Sequence, residues 1–187
     1  KLQMVTQEGR NVEVVAIRGN FDDAQISVKR IFTDEDTRAA LDKDGMMLSS
    51  ANSINWGRLA PQIAYYVSAY CDMVAAGTIA QGDKINVCVP TGNFGNILAA
   101  YIAKKMGLPV NKFICASNRN NVLTDFFKKG GEYNRNRDFF TTTSPSMDIL
   151  ISSNLERLLF FAYDFIDKLV AELMGKLNTE GSYKVAE

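Results

Sequence analysis

This sequence predicts an α/β fold with a mainly parallel sheet and helices on both faces, and three observations predict it. Short β-branched runs alternate with stretches of helical spacing, and the connections between them are short. The clearest strand, Ile85-Asn86-Val87-Cys88-Val89, has the apolar content of a strand covered on both sides, as parallel strands are. With 187 residues the chain makes one domain, or one domain and part of another. A sheet of about four strands is expected, at the usual ~5–6 residues each.

The elements follow in order. Val12 to Ile17 is β-branched, ends at Gly19-Asn20 and reads as a strand. Phe21, Ile26, Val28 and Ile31 then keep helical spacing. Thr33 with Asp36 resembles a capping box that opens a helix from Asp34 to Leu41, closed by Gly45, and Met46 to Leu48 reads as a second short strand. Apolar positions from Leu59 to Val74 mark a helix between Ile54 and Ala76, closed by Gly77 and kinked by Pro61, which donates no hydrogen bond. After the Ile85 strand come a glycine-bearing turn, a helix from Ile97 to Met106 closed by Gly107, and a strand from Lys112 to Ala116. A helix near Asn121 to Lys129 ends at Gly130-Gly131, and Glu132 to Thr143 has no period and reads as a loop. Ser153 and Glu156 form a capping box ahead of one long helix, Leu155 to Leu177, and the polar tail from Asn178 reads as frayed.

Composition narrows the chemistry. Lys+Arg and Asp+Glu both number 21, so no basic face is implied and neither nucleic acid nor a membrane surface is an expected partner. No apolar run approaches the ~20 residues of a membrane-spanning helix. The start, Lys1-Leu2-Gln3-Met4, lacks both an initiator Met and a secretory apolar region and reads as a cut edge. Cys71, Cys88 and Cys115 are too few and too scattered for a disulfide framework, and read as reduced core residues of a cytoplasmic protein. Histidine is absent, which removes Ser-His-Asp chemistry and imidazole metal sites, and no metal site is expected.

The turn Val89-Pro90-Thr91-Gly92-Asn93-Phe94-Gly95-Asn96 lies between the best strand and a helix N-terminus, at the strand end where α/β folds bind ligands. Two glycines let backbone amides approach a ligand, and the first amides of a helix lack internal acceptors and sit at the positive end of its dipole. A phosphate suits such a site, with Thr91, Asn93 and Asn96 able to add side-chain bonds. The turn has neither the Lys-Ser/Thr of a Walker loop nor the three-glycine dinucleotide spacing. A phosphate site and a purely structural glycine turn both remain open on these residues alone.

Four blocks carry a resemblance. VEVVAIRGNFDDAQ (12–25), SANSINWGRLAPQIAYY (50–66), VPTGNFGNILAAYIAKKMGLP (89–109) and TTSPSMDILISSNLERLLF (142–160) are similar, in this order, to threonine synthases of the bacterial and fungal type. The resemblance covers nearly the whole chain and implies an internal fragment of such an enzyme, with a partial fold of the pyridoxal-phosphate β-family (fold type II). That family converts O-phospho-L-homoserine and water into L-threonine and phosphate, as a carbon–oxygen lyase of threonine biosynthesis. Its cofactor, pyridoxal 5'-phosphate, is held as a Schiff base and serves as an electron sink. Residue by residue, the resemblance implies that Gly92, Asn93, Phe94, Gly95 and Asn96, with Thr91 a weaker candidate, hold the cofactor phosphate. It places Asn52, Ser53, Asn55 and Arg58 beside the substrate, the Arg58 fork suiting a phosphate or carboxylate. The competing reading makes Ser53 a helix cap and Arg58 a solvated first-turn residue. Ser144, Ser146 and Asp148 match a family block without an assigned role, and Asp22 and Asp23 fit the first turn of a helix.

The family's Schiff-base lysine belongs to a Phe-Lys-Asp block that this sequence does not contain. Its own lysines, such as Lys29, Lys104, Lys105, Lys128 and Lys129, fall on polar faces or helix ends, without the desolvation that makes an amine nucleophilic. The chain by itself is therefore expected to be inactive. Residues 1–52 read as the second half of a smaller α/β subdomain and 53–187 as part of the large cofactor-binding domain. Apolar surface on the long C-terminal helix is expected to drive self-association. A non-catalytic phosphate- or nucleotide-binding α/β module is the alternative, and a purely structural domain a third reading.

Overall fold

The computed structural model describes residues 6, 8–19 and 21–185; the expected cut edge at Lys1–Met4 and the side chain of Asp22 lie outside this range. The chain divides into two compact units, 1–47 and 48–187.

In the first unit the expected strand at Val12–Ile17 does not form. A single antiparallel bridge joins Gly9 and Val12, and Val12, Val15 and Ile17 are exposed. β-branched residues favour a strand only where a neighbour supplies packing and ladder bonds, and neither is present along 13–17. Helices α1 (Phe21–Thr33) and α2 (Glu35–Lys43) follow. The cap of α2 lies one residue later than expected: Asp34 accepts from the Thr37 amide at 2.7 Å, while Thr33 ends α1 with its hydroxyl donated back to Lys29 O and Arg30 O. Gly45 closes the turn at φ +67°, but Met46–Leu48 is not a strand.

The second unit opens with a helix in three pieces: α3 (Trp56–Leu59), a 3-10 turn Ala60–Gln62 and α4 (Ile63–Ala75). Pro61 sits in the 3-10 turn, so the kink falls where its missing amide places it. Strand β1 (Ile85–Pro90) pairs in parallel with β2 (Val110–Ala116), Val87 opposite Phe113 and Val89 opposite Cys115. Between them runs α5 (Gly95–Lys105), buried at Ile97, Leu98, Ala99, Ala100 and Ala103. Its small residues let the helix lie close to its neighbours, and Gly107 ends it at φ +111°. This α/β arrangement, a parallel pair with its crossover helix, carries the core. The side of the pair bearing Asn86, Cys88, Lys112 and Ile114 is exposed. Cys88 and Cys71 are exposed too, so only Cys115 is partly buried, and burial pushes its thiol up to about 11. The expectation of three core cysteines fails because two of them fall on uncovered faces.

Beyond β2, α6 (Val122–Lys128) ends at Gly130. The stretch expected to be a loop contains β3 (Glu132–Asn134), and the tail expected to fray contains its partner β4 (Ser182–Lys184). They pair antiparallel, with Tyr133 and Tyr183 opposite and stacked at 5.3 Å. Each is too short to show a period, and burial of the two rings is what fixes them. Among the described residues the strands therefore form one parallel and one antiparallel pair rather than a continuous four-stranded sheet.

The single long C-terminal helix is two helices, α7 (Leu155–Ala162) and α8 (Asp167–Thr179). Asp164 and Phe165 take φ +50° and +66° at the break. The bend folds Phe165 back so that its ring meets Phe160 and Phe161, each at 5.3 Å. Ser153 does not cap α7. The N-cap position belongs to Asn154, whose side chain is used elsewhere.

Candidate functional site

The turn after β1 is built so that its amides remain free. Thr91 N donates to Ala116 O at 2.8 Å, locking the turn to the end of β2, and Phe94 N donates to Thr91 O at 2.8 Å. Among the described residues the amides of Gly92, Asn93, Gly95, Asn96 and Ile97 meet no acceptor in the protein. All five belong to the turn or to the first residues of α5, where the helix dipole is positive. Phe94 reaches this geometry at φ +63°, a conformation unusual for a bulky residue. Its ring is buried in the wall of an apolar cavity of about 430 Å³, shared with Ile97, Tyr101, Phe113, Cys115, Phe127 and Leu158. Its own amide being used within the turn, Phe94 shapes the loop instead of offering a donor.

The two glycines have separate tasks. Gly92 lies at φ +41°, and a Cβ there would stand 3.2 Å from Met147 Sδ, in the 3-10 turn Pro145–Met147. Gly95 has an ordinary helical backbone, but a Cβ there would stand 2.7 Å from both Cβ and Oγ of Ser53. The expected substrate-side block is thus pressed directly against the expected phosphate turn, and a glycine is what permits the approach.

Within that block the side chains are largely committed. Asn52 Oδ1 accepts from Ile54 N at 3.2 Å and from Ser53 Oγ at 3.3 Å. Asn55, not Ser53, caps α3: its Oδ1 accepts from Gly57 N at 2.9 Å and its Nδ2 donates to Ser50 O at 2.9 Å. Arg58 is exposed in the short α3. Asn96 is likewise turned into the protein. Its Nδ2 donates to Gln62 Oε1 at 2.8 Å and its Oδ1 accepts from Tyr66 Oη at 2.5 Å, so only its backbone faces the turn's free amides. Burial raises the Tyr66 phenol to about 12 and keeps it a donor. Asn93 differs: its Oδ1 is buried without a partner, while its backbone carbonyl accepts from Asn154.

Two residues that periodicity and capping rules passed over join these parts. Asn154, fully buried, donates Nδ2 to Asn93 O and to Ser53 Oγ, both at 3.0 Å. Arg157 donates Nη1 to Ser53 O at 2.8 Å and to Asn154 Oδ1 at 2.6 Å, and Nη2 to Ile54 O. The signal lay inside the block quoted above, Ser-Ser-Asn-Leu-Glu-Arg, where the Ser/Glu spacing drew attention to the wrong pair. Asp148 holds another seam. Its carboxylate accepts from Thr142 N (2.8 Å), Thr142 Oγ1 (2.7 Å), Asn118 Nδ2 (2.7 Å) and Asn120 Nδ2 (3.0 Å). Burial pushes its pKa up, but the donors from Thr142, Asn118 and Asn120 more than offset this and leave it below the usual value. Ser144 and Ser146 are exposed beside it.

A parallel strand pair with its crossover helix defines the class: the fold is that of fold type II pyridoxal-phosphate enzymes, and the structures that superpose on the chain are of that type. No family model matches the chain. Human threonine synthase-like 1 is 49% identical over 186 residues, covering 99% of this chain and 25% of that protein. Threonine synthase from Pseudomonas aeruginosa is 42% identical, covering 99% of this chain and 37% of that protein. Among solved structures, pyridoxal-phosphate-bound threonine synthase from Brucella melitensis superposes with a TM-score of 0.77 at 44% identity, covering 95% of this chain and 36% of that one. Threonine synthase from yeast gives 0.77 at 38% identity, with 99% and 36% covered. By sequence and by fold the chain belongs to the threonine synthase family, and it spans between 25% and 37% of the length of these relatives.

Proposed function

We propose that this chain supplies the cofactor-phosphate cradle and the adjoining substrate block of a pyridoxal-phosphate-dependent threonine synthase. The reaction is conversion of O-phospho-L-homoserine and water to L-threonine and phosphate, in cytoplasmic threonine biosynthesis. The observation that carries this reading is the set of unpaired amides from Gly92 to Ile97, with Ser53 seated on Gly95. Convergent amides at a helix N-terminus bind a phosphate dianion through charge-assisted bonds. Gly92, Asn93, Gly95 and Asn96 supply the donors through their backbone amides, and Phe94 and Thr91 hold the turn in shape. When bound, pyridoxal phosphate supplies the electron sink for carbanion chemistry.

The exposed Arg58 fork takes the substrate's phosphate or carboxylate in this reading, with Asn52, Ser53 and Asn55 setting the backbone that presents it. The amine that anchors the cofactor is not one of the described lysines, since every one of them is exposed. Residues 1–52 form the second half of a smaller α/β subdomain and 53–187 part of the large cofactor domain. Taken alone, the chain binds and does not turn over.

Titrating pyridoxal phosphate into the isotope-labelled chain tests this. The amide resonances of Gly92 and Gly95 are expected to move at saturation, with no phosphate released from O-phosphohomoserine. Unmoved resonances would refute the cradle, and turnover abolished by replacing a described lysine would refute the account of the amine. The exposed Ile114, Phe165, Ile166 and Leu169 further favour self-association. Light scattering at increasing concentration is expected to show dimers or larger species, against a constant monomer mass if those residues do not associate.

A further inference from the structure

Arg157 is half-buried, and every acceptor it has is neutral: the carbonyls of Ser53 and Ile54 and the Asn154 side-chain oxygen. Among the described residues the ion pairs involve Lys129 and Arg137 with Asp125, so no carboxylate pairs with Arg157. A partly desolvated cation without a counter-ion is costly unless its donors are met and an anion lies near. Three of its five N–H donors are met, two on Nη1 and one on Nη2, and they are met by the groups that frame the turn. Ser53 presses on Gly95, and Asn154 passes the contact on to Asn93 O. The acceptors also have a geometry that only a fork satisfies, because Ser53 O and Ile54 O are consecutive carbonyls taken by separate nitrogens.

We propose that Arg157 is a positioning residue for the anion cradle. Its fork fixes the Ser53–Ile54 backbone against the Gly92–Asn96 turn, and its uncompensated charge raises that turn's affinity for a dianionic phosphate. The proposal rests on the phosphate-cradle reading above, and its test separates the two. Pyridoxal phosphate and inorganic phosphate are titrated calorimetrically into the purified chain at low and high salt, for the unmodified protein, Arg157→Lys and Arg157→Met, with thermal melting in parallel. Glu156→Gln, an exposed neighbour in the same turn, serves as control. Losing the fork while keeping the charge is expected to weaken binding about tenfold, and losing both about a hundredfold, on the usual strength of charge-assisted bonds. The gap between the unmodified protein and Arg157→Met should narrow with added salt, as the charge contribution is screened.

If the unmodified chain binds neither ligand, the cradle reading itself falls. If it binds and both variants bind as well, whatever their melting temperatures, Arg157 is only structural and the proposal is overturned. If Arg157→Met does not fold, Arg157→Lys decides: unchanged affinity overturns the proposal, and a tenfold loss upholds the role of the fork. Equal losses in a folded Lys and Met pair, with no narrowing by salt, would overturn the charge contribution.

Discussion

Replacing Gly95 by alanine isolates the contact on which the site is built. Gly95 opens α5 with no positive φ, so the backbone itself tolerates alanine, and helix propensity alone favours the change by up to about 0.5–1 kcal/mol. Against this, the new methyl would stand 2.7 Å from Ser53 Cβ and Oγ and 3.3 Å from Asn154 Nδ2. None of these is the free end of a long side chain. Ser53 is held through its backbone by Arg157, and Asn154 is fully buried. Overpacking of this kind costs about 1–3 kcal/mol, and pushing Ser53 away breaks the Asn154–Ser53 hydrogen bond, worth about 1 kcal/mol. The net expectation is a loss of about 1–3 kcal/mol, or roughly 3–10 °C in melting temperature for a domain of this size. Cofactor affinity should fall with it. The double variant Ser53→Gly, Gly95→Ala removes the atoms that clash and should recover most of the stability, so the two changes are strongly coupled. Thermal melts and pyridoxal-phosphate titrations of the three proteins read this directly. A Gly95→Ala protein as stable as the original, or one that Ser53→Gly does not rescue, would refute the reasoning.

Two further outcomes follow from the same network. Tyr66→Phe removes the donor to Asn96 Oδ1 and is expected to cost about 1–2 kcal/mol at neutral pH, measured by urea unfolding. The folded phenol titrates near 12 against 10 in the unfolded chain, so its contribution is complete below pH 10 and is lost as pH rises toward 12. The difference between the two proteins should shrink over that window; a constant difference would place the effect in packing alone. Asp148→Asn keeps the shape but turns an NH2 toward donors from Thr142, Asn118 and Asn120, and is expected to cost about 2–3 kcal/mol in the same assay. Because the folded carboxyl lies below its ordinary value, its stabilisation is present above that value and lost as pH falls through the folded one. Stability of the Asp148→Asn protein should accordingly depend less on acid pH than that of the original.

Local chemistry in the sequence determined a good deal of this protein. The β1 and β2 runs, the Pro61 kink and the glycines that end helices each act within a few residues, through ladder packing, a missing amide or a positive φ, and each stands where the sequence put it. The turn from Thr91 to Asn96 was legible for the same reason: two glycines between a strand and a helix define it without help from elsewhere, and its reading as a phosphate cradle is the proposal made above. The resemblance of four ordered blocks then supplied a family that spacing alone could not.

What only the tertiary structure decided depends on partners far away in the chain. Val12–Ile17 has strand composition but no neighbour to pair with, whereas β3 and β4 have almost no signal and form because two tyrosine rings meet across 50 residues of sequence. The break between α7 and α8 carries neither Gly nor Pro; it is accompanied by contacts of the Phe165 ring with Phe160 and Phe161. The side-chain partners of Ser53 and Asn96 were not legible either: Ser53 Oγ accepts from Asn154, and the Asn96 amide meets Tyr66 and Gln62. Arg157 acts on Ser53 at a separation of 104 residues, and Asn154 acts on Asn93 at a separation of 61. A hydrogen bond forms between whichever groups the fold brings to about 3 Å, and sequence spacing carries that information only within a helix turn or a strand pair.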